Sequence, residues 1–350
     1  MNFNALNLIT SDSIVVNRTL RDNEAWLGAT LFPARKKVGI TLDWIKTYKG
    51  RSVELMPSNL DAVPVIRQRG TFAVNQNRMA FYREAMQVKE EDMVMLAQIE
   101  SKNAPAMQQI MDSIYDDANE LINGAETAAE AMRMQLLHTP QIAVAGDNVN
   151  IVYNYDPDGS WATNNTATGS DWTDTTNSTP LTDLINAVST LQTRGLTPRY
   201  VVMNPTTFLL AKKSAEVLGA IISVAGGIIS YADDTTVKEV IERMTGLKCI
   251  VYGKYYETAA GTGATKFYPD GKVSILCDDT LGNTWYGTTP EERTMLMDDS
   301  VDVTMFDNRI AVTVAKKYGP PAQILTVASE MMLPSFERMD GVYVIDVSGN

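Results

Sequence analysis

The chain has 350 residues, 45% hydrophobic and 21% charged, a composition that suits a folded globular protein with a sizeable core and excludes a disordered one. Its 30 basic against 42 acidic side chains give a formal charge of −12, which repels polyphosphate and argues against a nucleic-acid-binding protein. Cys249 and Cys277 show no CxxC spacing and the single histidine, His138, is distant from both, so no metal site is expected and both thiols are expected to be reduced, buried and inert.

The N-terminus, MNFNALNLITSDSIVV, has no cationic stretch ahead of an apolar core, so folding in the cytosol is expected. Residues 1–37 carry short apolar clusters (Phe3, Leu6, Ile9; Ile14, Val15; Trp26, Leu27, Leu31) that a segment of this length cannot bury by itself. They read as an arm with a short helix, lying along this subunit or a neighbour. From Val38 the apolar residues alternate: Val38, Ile40, Leu42 and Trp44, then Val53 and Leu55, then Val63, Val65, Phe72 and Val74. That period of two predicts long hairpin strands over 38–88, with Lys49, Gly50, Pro57, Pro64 and Gly70 marking turns and edges. A two-stranded ribbon is marginal in water, so this one should be stabilised by docking on something else.

Glu90–Glu100 reads as a short helix with acidic residues in its first turn. The stretch from Ala104 to His138 is the strongest signal in the chain. Met107, Met111, Ile114, Ala118, Leu121, Ala125, Ala128 and Met132 recur at intervals of four and three, which predicts one amphipathic helix. Asn103 suits its cap, Pro105 its first turn, and Pro140 stops it. At 1.5 Å per residue it would run about 50 Å, long enough to be a spine on which other elements lean.

After it, Ile142 and Val144, then Val149, Ile151 and Tyr153, predict a hairpin turning at Gly146-Asp147-Asn148. Residues 156–180 are rich in Asp, Asn, Ser, Thr and Gly and read as a surface loop and internal boundary. Helices then alternate with short strands: Leu181–Leu191, Tyr200–Met203, Phe208–Leu218, Val237–Met244, Cys249–Tyr252, Lys266–Tyr268 and Val273–Leu276, as in an α/β unit. The apolar run Val217–Ala232 is too short for a membrane span and suits interior or interface packing. The tail returns to strands at Ile310–Ala315, Ile324–Ala328 and Val342–Val347, expected to complete a sheet beside the spine.

Catalytic chemistry is missing. His138 has no identifiable partner and sits where a cation or a hydrogen bond to the last helical carbonyls is expected. GTGATK (Gly261–Lys266) lacks phosphate-loop spacing and reads as a turn. The segment from Asp156 starts like a calcium loop but has Ala167 where the loop needs Glu. Asp298, Asp299 and Asp302 read as a solvated acidic edge before a cation site. No catalytic, cofactor-binding or metal residue is assigned.

The order of arm, hairpin, spine helix, inserted α/β unit and returning strands resembles the HK97-type shell proteins. Specific stretches resemble the lambda-type branch of tailed-phage major capsid proteins: Trp172, Pro180, Leu181, Asp183 and Ile185; YVVMNPTTFLLA (Tyr200–Ala211); CIVYGKYYE with FYPDGKVSIL (Cys249–Leu276); and SEMMLPSFERMDGVYVIDV (Ser329–Val347). The resemblance implies an α+β, HK97-like capsid fold with a long spine helix and an extended β-hairpin loop. Its domains would be an N-terminal arm (1–37), the extended loop (38–88), a peripheral domain with the spine (89–155), an inserted α/β axial domain (156–308) and peripheral return strands (309–350).

Function would then lie in contacts. The implied role is a non-enzymatic structural protein that self-assembles into the icosahedral head shell of a bacteriophage, enclosing DNA without sequence-specific binding. Trp44, Lys46, Lys49, Arg51, Arg67 and Arg69 are the inter-subunit contact candidates, Arg67 and Arg69 as partners of acidic patches on the next subunit. Implied partners are further copies in pentamers and hexamers, a separate scaffolding protein, a portal and, as a further candidate, a decoration protein. The location would be the virion after assembly in the host cytoplasm, with no cofactor and no membrane. Some relatives crosslink through Lys–Asn isopeptide bonds; Lys46 or Lys49 with Asn350 are what this chain offers, with no general acid identifiable. The competing readings are an encapsulin-like compartment and, from another class, a cytosolic α/β hydrolase or ligand-binding protein with a cleft near Asp298–Asp302.

Overall fold

The computed structural model describes residues 10–12, 14–15, 26–45, 74–89, 104–146, 149–225, 232–258, 261, 263–295, 302–317 and 323–349. A short helix α1 (Leu27–Leu31) and strands β1 (Ala34–Lys36), β2 (Thr41–Ile45), β3 (Val74–Arg78) and β4 (Ala80–Val88) precede the spine, α2 (Ala104–Leu136). The spine is a single helix of 33 residues, as its periodicity predicts. Ala118, Leu121, Ile122, Ala129, Met132 and Leu136 form its buried stripe, while Asp116 and Glu120 are exposed. The side chains of Met107, Met111 and Ile114 lie outside the described residues, as does the predicted helix over 90–100. After Pro140, β5 (Gln141–Gly146) and β6 (Val149–Asn154) pair from Gln141↔Asn154 to Gly146↔Val149, the predicted hairpin.

The chain then forms α3 (Ser160–Asn165), β7 (Thr166–Thr168), α4 (Pro180–Thr193), β8 (Tyr200–Met203), α5 (Pro205–Lys213), α6 (Ala215–Ala225), α7 (Asp234–Thr245) and β9 (Lys248–Val251). The hairpin of β10 (Tyr255–Tyr256) and β11 (Thr265–Lys266), β12 (Lys272–Leu276), β13 (Asn283–Tyr286) and α8 (Pro290–Met295) follow. The last strands are β14 (Val303–Phe306), β15 (Ile310–Lys317), β16 (Gln323–Ser335) and β17 (Val342–Asp346).

Two sheets organise these elements. The larger runs β1-β13-β16-β15-β14, with β4 on the other edge of β16. Its inner face, through Ile324, Ala328, Val312 and Val314, packs on Ala118, Leu121 and Ile122 of the spine, with Ile14 buried in the same core. The smaller sheet runs β7-β17-β12-β8-β9 and has a core on each face. Tyr343, Ile345 and Val347 of its β17 segment join Leu184, Val217 and Val240 on one side, while Val342 and Val344 join Met132, Leu136 and Met332 on the other.

Four expectations change. The predicted ribbon over 38–88 ends early, because β4 pairs with β16 along its whole length, Ala80↔Met332 to Val88↔Ile324, and turns Tyr82, Met86 and Val88 inward. Val342–Asp346 does not return to the spine's sheet; it lies between β12 and β7, since Val342–Ile345, apolar at every position, suits a strand with a core on both faces. Residues 156–180 are more than a surface loop, for they contain α3 and β7 and bury both Trp161 and Trp172. His138 is no cation: burial, and then the nearby Lys272, lowers its pKa to about 4, and the neutral ring lies edge-on to Tyr268.

Candidate assembly surface

The pair β2–β3 leaves the body as a two-stranded stem, in register from Thr41↔Arg78 to Ile45↔Val74. Its root is fixed. Leu42 and Met79 are buried in the spine-end core, the Met79 amide donates to the Ile40 carbonyl at 2.9 Å, and the Tyr153 hydroxyl donates to the Arg78 carbonyl at 2.9 Å. Beside this root the surface is apolar: Val38 is 88% exposed and Ile40 46%, with Val152 at 57% and Ile151 at 38% on the adjoining β5–β6 hairpin. Apolar side chains left in water beside a two-stranded ribbon mark a surface of contact. Of the six candidate contact residues, Trp44 has its backbone in β2 opposite Asn75, whereas Lys46, Lys49, Arg51, Arg67 and Arg69 lie outside the described residues.

A buried polar joint ties the spine to α1, to β13 and to Tyr252, the residue after β9. Glu130 of the spine accepts at Oε1 from the Gly28 amide of α1 and from the Tyr252 hydroxyl, both at 2.8 Å. Its Oε2 is 3.5 Å from Arg133 Nη1. Arg133 donates to Thr284 Oγ1 at 2.8 Å and to the Tyr286 hydroxyl at 2.7 Å, reaching β13 of the larger sheet. Breaking one partner of such a buried pair is costly, because the other charge is left without solvation. The sequence signal was present but unread: Glu130 and Arg133 interrupt the apolar stripe between Ala129 and Leu136.

The motif around Trp172 and Asp183 also gains a physical reason. Asp183 Oδ2 accepts from the Ser170 amide at 2.9 Å, from Ser170 Oγ at 2.6 Å and from Trp172 Nε1 at 2.9 Å. One carboxylate thus pins the buried tryptophan to the first turn of α4, where negative charge also suits the helix dipole.

The described residues of the segments that resemble ligand sites make contacts within the fold. Asp156 caps α3 by accepting from the Trp161 and Ala162 amides at 2.9 and 3.0 Å. Lys266, at the end of GTGATK, pairs with Asp270 at 2.7 Å. Asp302 accepts from the Ser11 amide and hydroxyl, tying down the N-terminal segment, while Asp298 and Asp299 lie outside the described residues. Cys277 is buried and Cys249 only partly so; neither forms a disulfide among the described residues, and burial pushes the Cys249 thiol up to about 11. Among the described residues there is no group of three potential metal ligands and no helix long and apolar enough to cross a membrane.

A family model described as phage major capsid protein E matches residues 14–344. No curated protein matches the sequence. Among solved structures, an E. coli CFT073 prophage protein assigned as capsid aligns with TM-score 0.60 and 12% identity, over 97% of this chain and 99% of that one. A phage-related protein of Bordetella bronchiseptica RB50 aligns with TM-score 0.57 and 10% identity, over 97% and 98%. The capsid of cyanophage A-1(L) aligns with TM-score 0.51 and 10% identity, over 99% of each chain. At these identities the structures speak to the fold, and the family match carries the role. The chain belongs to the phage major capsid protein E family, a shell-forming structural protein with the HK97-like α+β fold.

Proposed function

We propose that this capsid protein closes an icosahedral head shell by laying residues 46–73, carried on the β2–β3 stem, over an adjacent subunit. The supporting observation is the stem itself: a two-stranded ribbon rooted by Leu42 and Met79 and flanked by exposed Val38, Ile40 and Val152. The carried segment holds Lys46, Lys49, Arg51, Arg67 and Arg69 in a chain of net charge −12, so its charge complements the rest of a second copy. In this reading the larger sheet and spine form the peripheral domain and the smaller sheet with its helices the axial domain, which moves β13 and β14 out of the expected axial span 156–308 and β17 out of the expected peripheral span 309–350. A separate scaffolding protein, a portal and a decoration protein complete the partners, assembly takes place in the host cytoplasm, and no catalytic step is involved. The acidity keeps packaged DNA from adhering to the wall.

Deleting Lys49–Gly70 tests the reading. The expected product is a folded, soluble subunit, seen by circular dichroism, that no longer forms closed particles in electron micrographs when expressed with its scaffold. Charge reversal at Arg67 and Arg69 should leave particles forming but make assembly more sensitive to salt. Closed particles from the deletion, indistinguishable from wild type, would remove the overlap from the assembly scheme.

A further inference from the structure

Glu330 lies on β16 opposite Tyr82 of β4 and is 1% exposed. Its Oε2 makes no hydrogen bond to any described residue. Charged groups face it from each element around: Arg133 and Glu126 of the spine, Arg309 ahead of β15 and Lys36 of β1. The phenols of Tyr82 and Tyr286 face it from β4 and β13.

Those cations are already committed. Arg133 is engaged by Glu130, Thr284 and Tyr286. Arg309 Nη2 lies 2.7 Å from Asp307 Oδ2 and 3.6 Å from Glu126 Oε1, and Lys36 Nζ lies 2.6 Å from Glu292 Oε2. An ionised Glu330 therefore adds a negative charge, in a dry contact, that no nearby cation is left to match. Burial pushes its carboxyl up to about 8, and the attraction of Arg309 and Arg133 offsets only part of that.

We propose that Glu330 is a proton-operated latch between sheet and spine: the neutral acid lets β16 close on α2, and loss of its proton to solvent drives the two apart. This device goes beyond shell formation and does not depend on how the subunits overlap. A carboxyl that titrates higher in the fold than its ordinary 4.5 binds an extra proton when folded. Its contribution is complete below about pH 4.5 and is lost as pH rises through about 8.

The full chain serves for the test. Infrared difference spectra between about pH 6 and about pH 9 should show loss of a protonated carboxyl band, absent in Glu330→Gln. Over the same span the wild-type unfolding midpoint should fall, while the permanently neutral Glu330→Gln stays level and ends above it. Exchange of amides 126–133, corrected for intrinsic base catalysis, should rise about tenfold in wild type and not in the variant. If Glu330→Gln does not fold, Glu330→Met, matched to its neighbours Met331 and Met332, makes the same comparison. A wild-type spectrum without a protonated carboxyl at about pH 6, or a variant midpoint that tracks wild type across the range, overturns the proposal.

Discussion

At the scale of single residues, the buried polar joint depends on one absent side chain. A Cβ on Gly28 would stand 2.5 Å from Glu130 Oε2 and 2.8 Å from Arg133 Cβ, in residues tied down by hydrogen bonds at Glu130 Oε1 and Arg133 Nε. Neither can retreat without exposing or unpairing a buried charge. Gly28→Ala should therefore destabilise the subunit by about 1–3 kcal/mol, read from urea unfolding. Gly219, exposed on α6 with no atom within 4 Å of a Cβ, is the contrast: Gly219→Ala should raise stability by about 0.4–1 kcal/mol. Equal effects at the two sites would mean that close approach at Gly28 is not what fixes α1 to the spine.

At the scale of elements, the segment between α3 and α4 has almost no apolar residues to hold it, so its hydrogen bonds decide its order. Asp183→Ala leaves three donors, including the buried Trp172 indole, without their acceptor and should cost about 2–4 kcal/mol. Asp183→Asn keeps a carbonyl acceptor and should recover part of that loss in thermal unfolding. An alanine variant as stable as wild type would show that Trp172 is held by packing alone. The same stretch shows what could be read in advance. The spine and the β5–β6 hairpin are legible because each hides one face, and a single buried face writes a period into the chain; the helices of the α/β unit do the same, and its strands are read as the short apolar runs between them. Val342–Asp346 hides both faces and writes no period, so its place between β12 and β7 was not legible. Residues 156–180 order themselves by polar caps at Asp156 and Asp183, which look like loop composition until the partners are known. Glu130, Arg133 and Glu330 were missed for the same reason: buried charge is defined by neighbours far along the chain.

At the scale of the whole molecule, the two sheets are joined too closely to unfold separately. β17 lends Val342 and Val344 to the core at the end of the spine and Tyr343 and Ile345 to the core under α4, α6 and α7. Polar contacts repeat the coupling: Ser274 Oγ of β12 donates to the Leu137 carbonyl at the spine's end, Tyr252 donates to Glu130, and the Trp161 indole donates to the Met339 carbonyl. Losing either sheet strips one face of β17 and leaves these buried groups unpaired, which costs more than the freed half gains in chain entropy. The isolated subunit should therefore unfold in one transition, despite a topology that suggests two domains. Trp161 in one core and Trp172 in the other let fluorescence sense both, so it should coincide with far-ultraviolet circular dichroism along a urea titration. Ile345→Ala, which opens a cavity in the core under α4, should lower stability by about 2–5 kcal/mol and move both signals together. If the circular dichroism separates into two steps, with Ile345→Ala shifting only one, the sheets are independent and β17 is a tether where this fold makes it a shared wall.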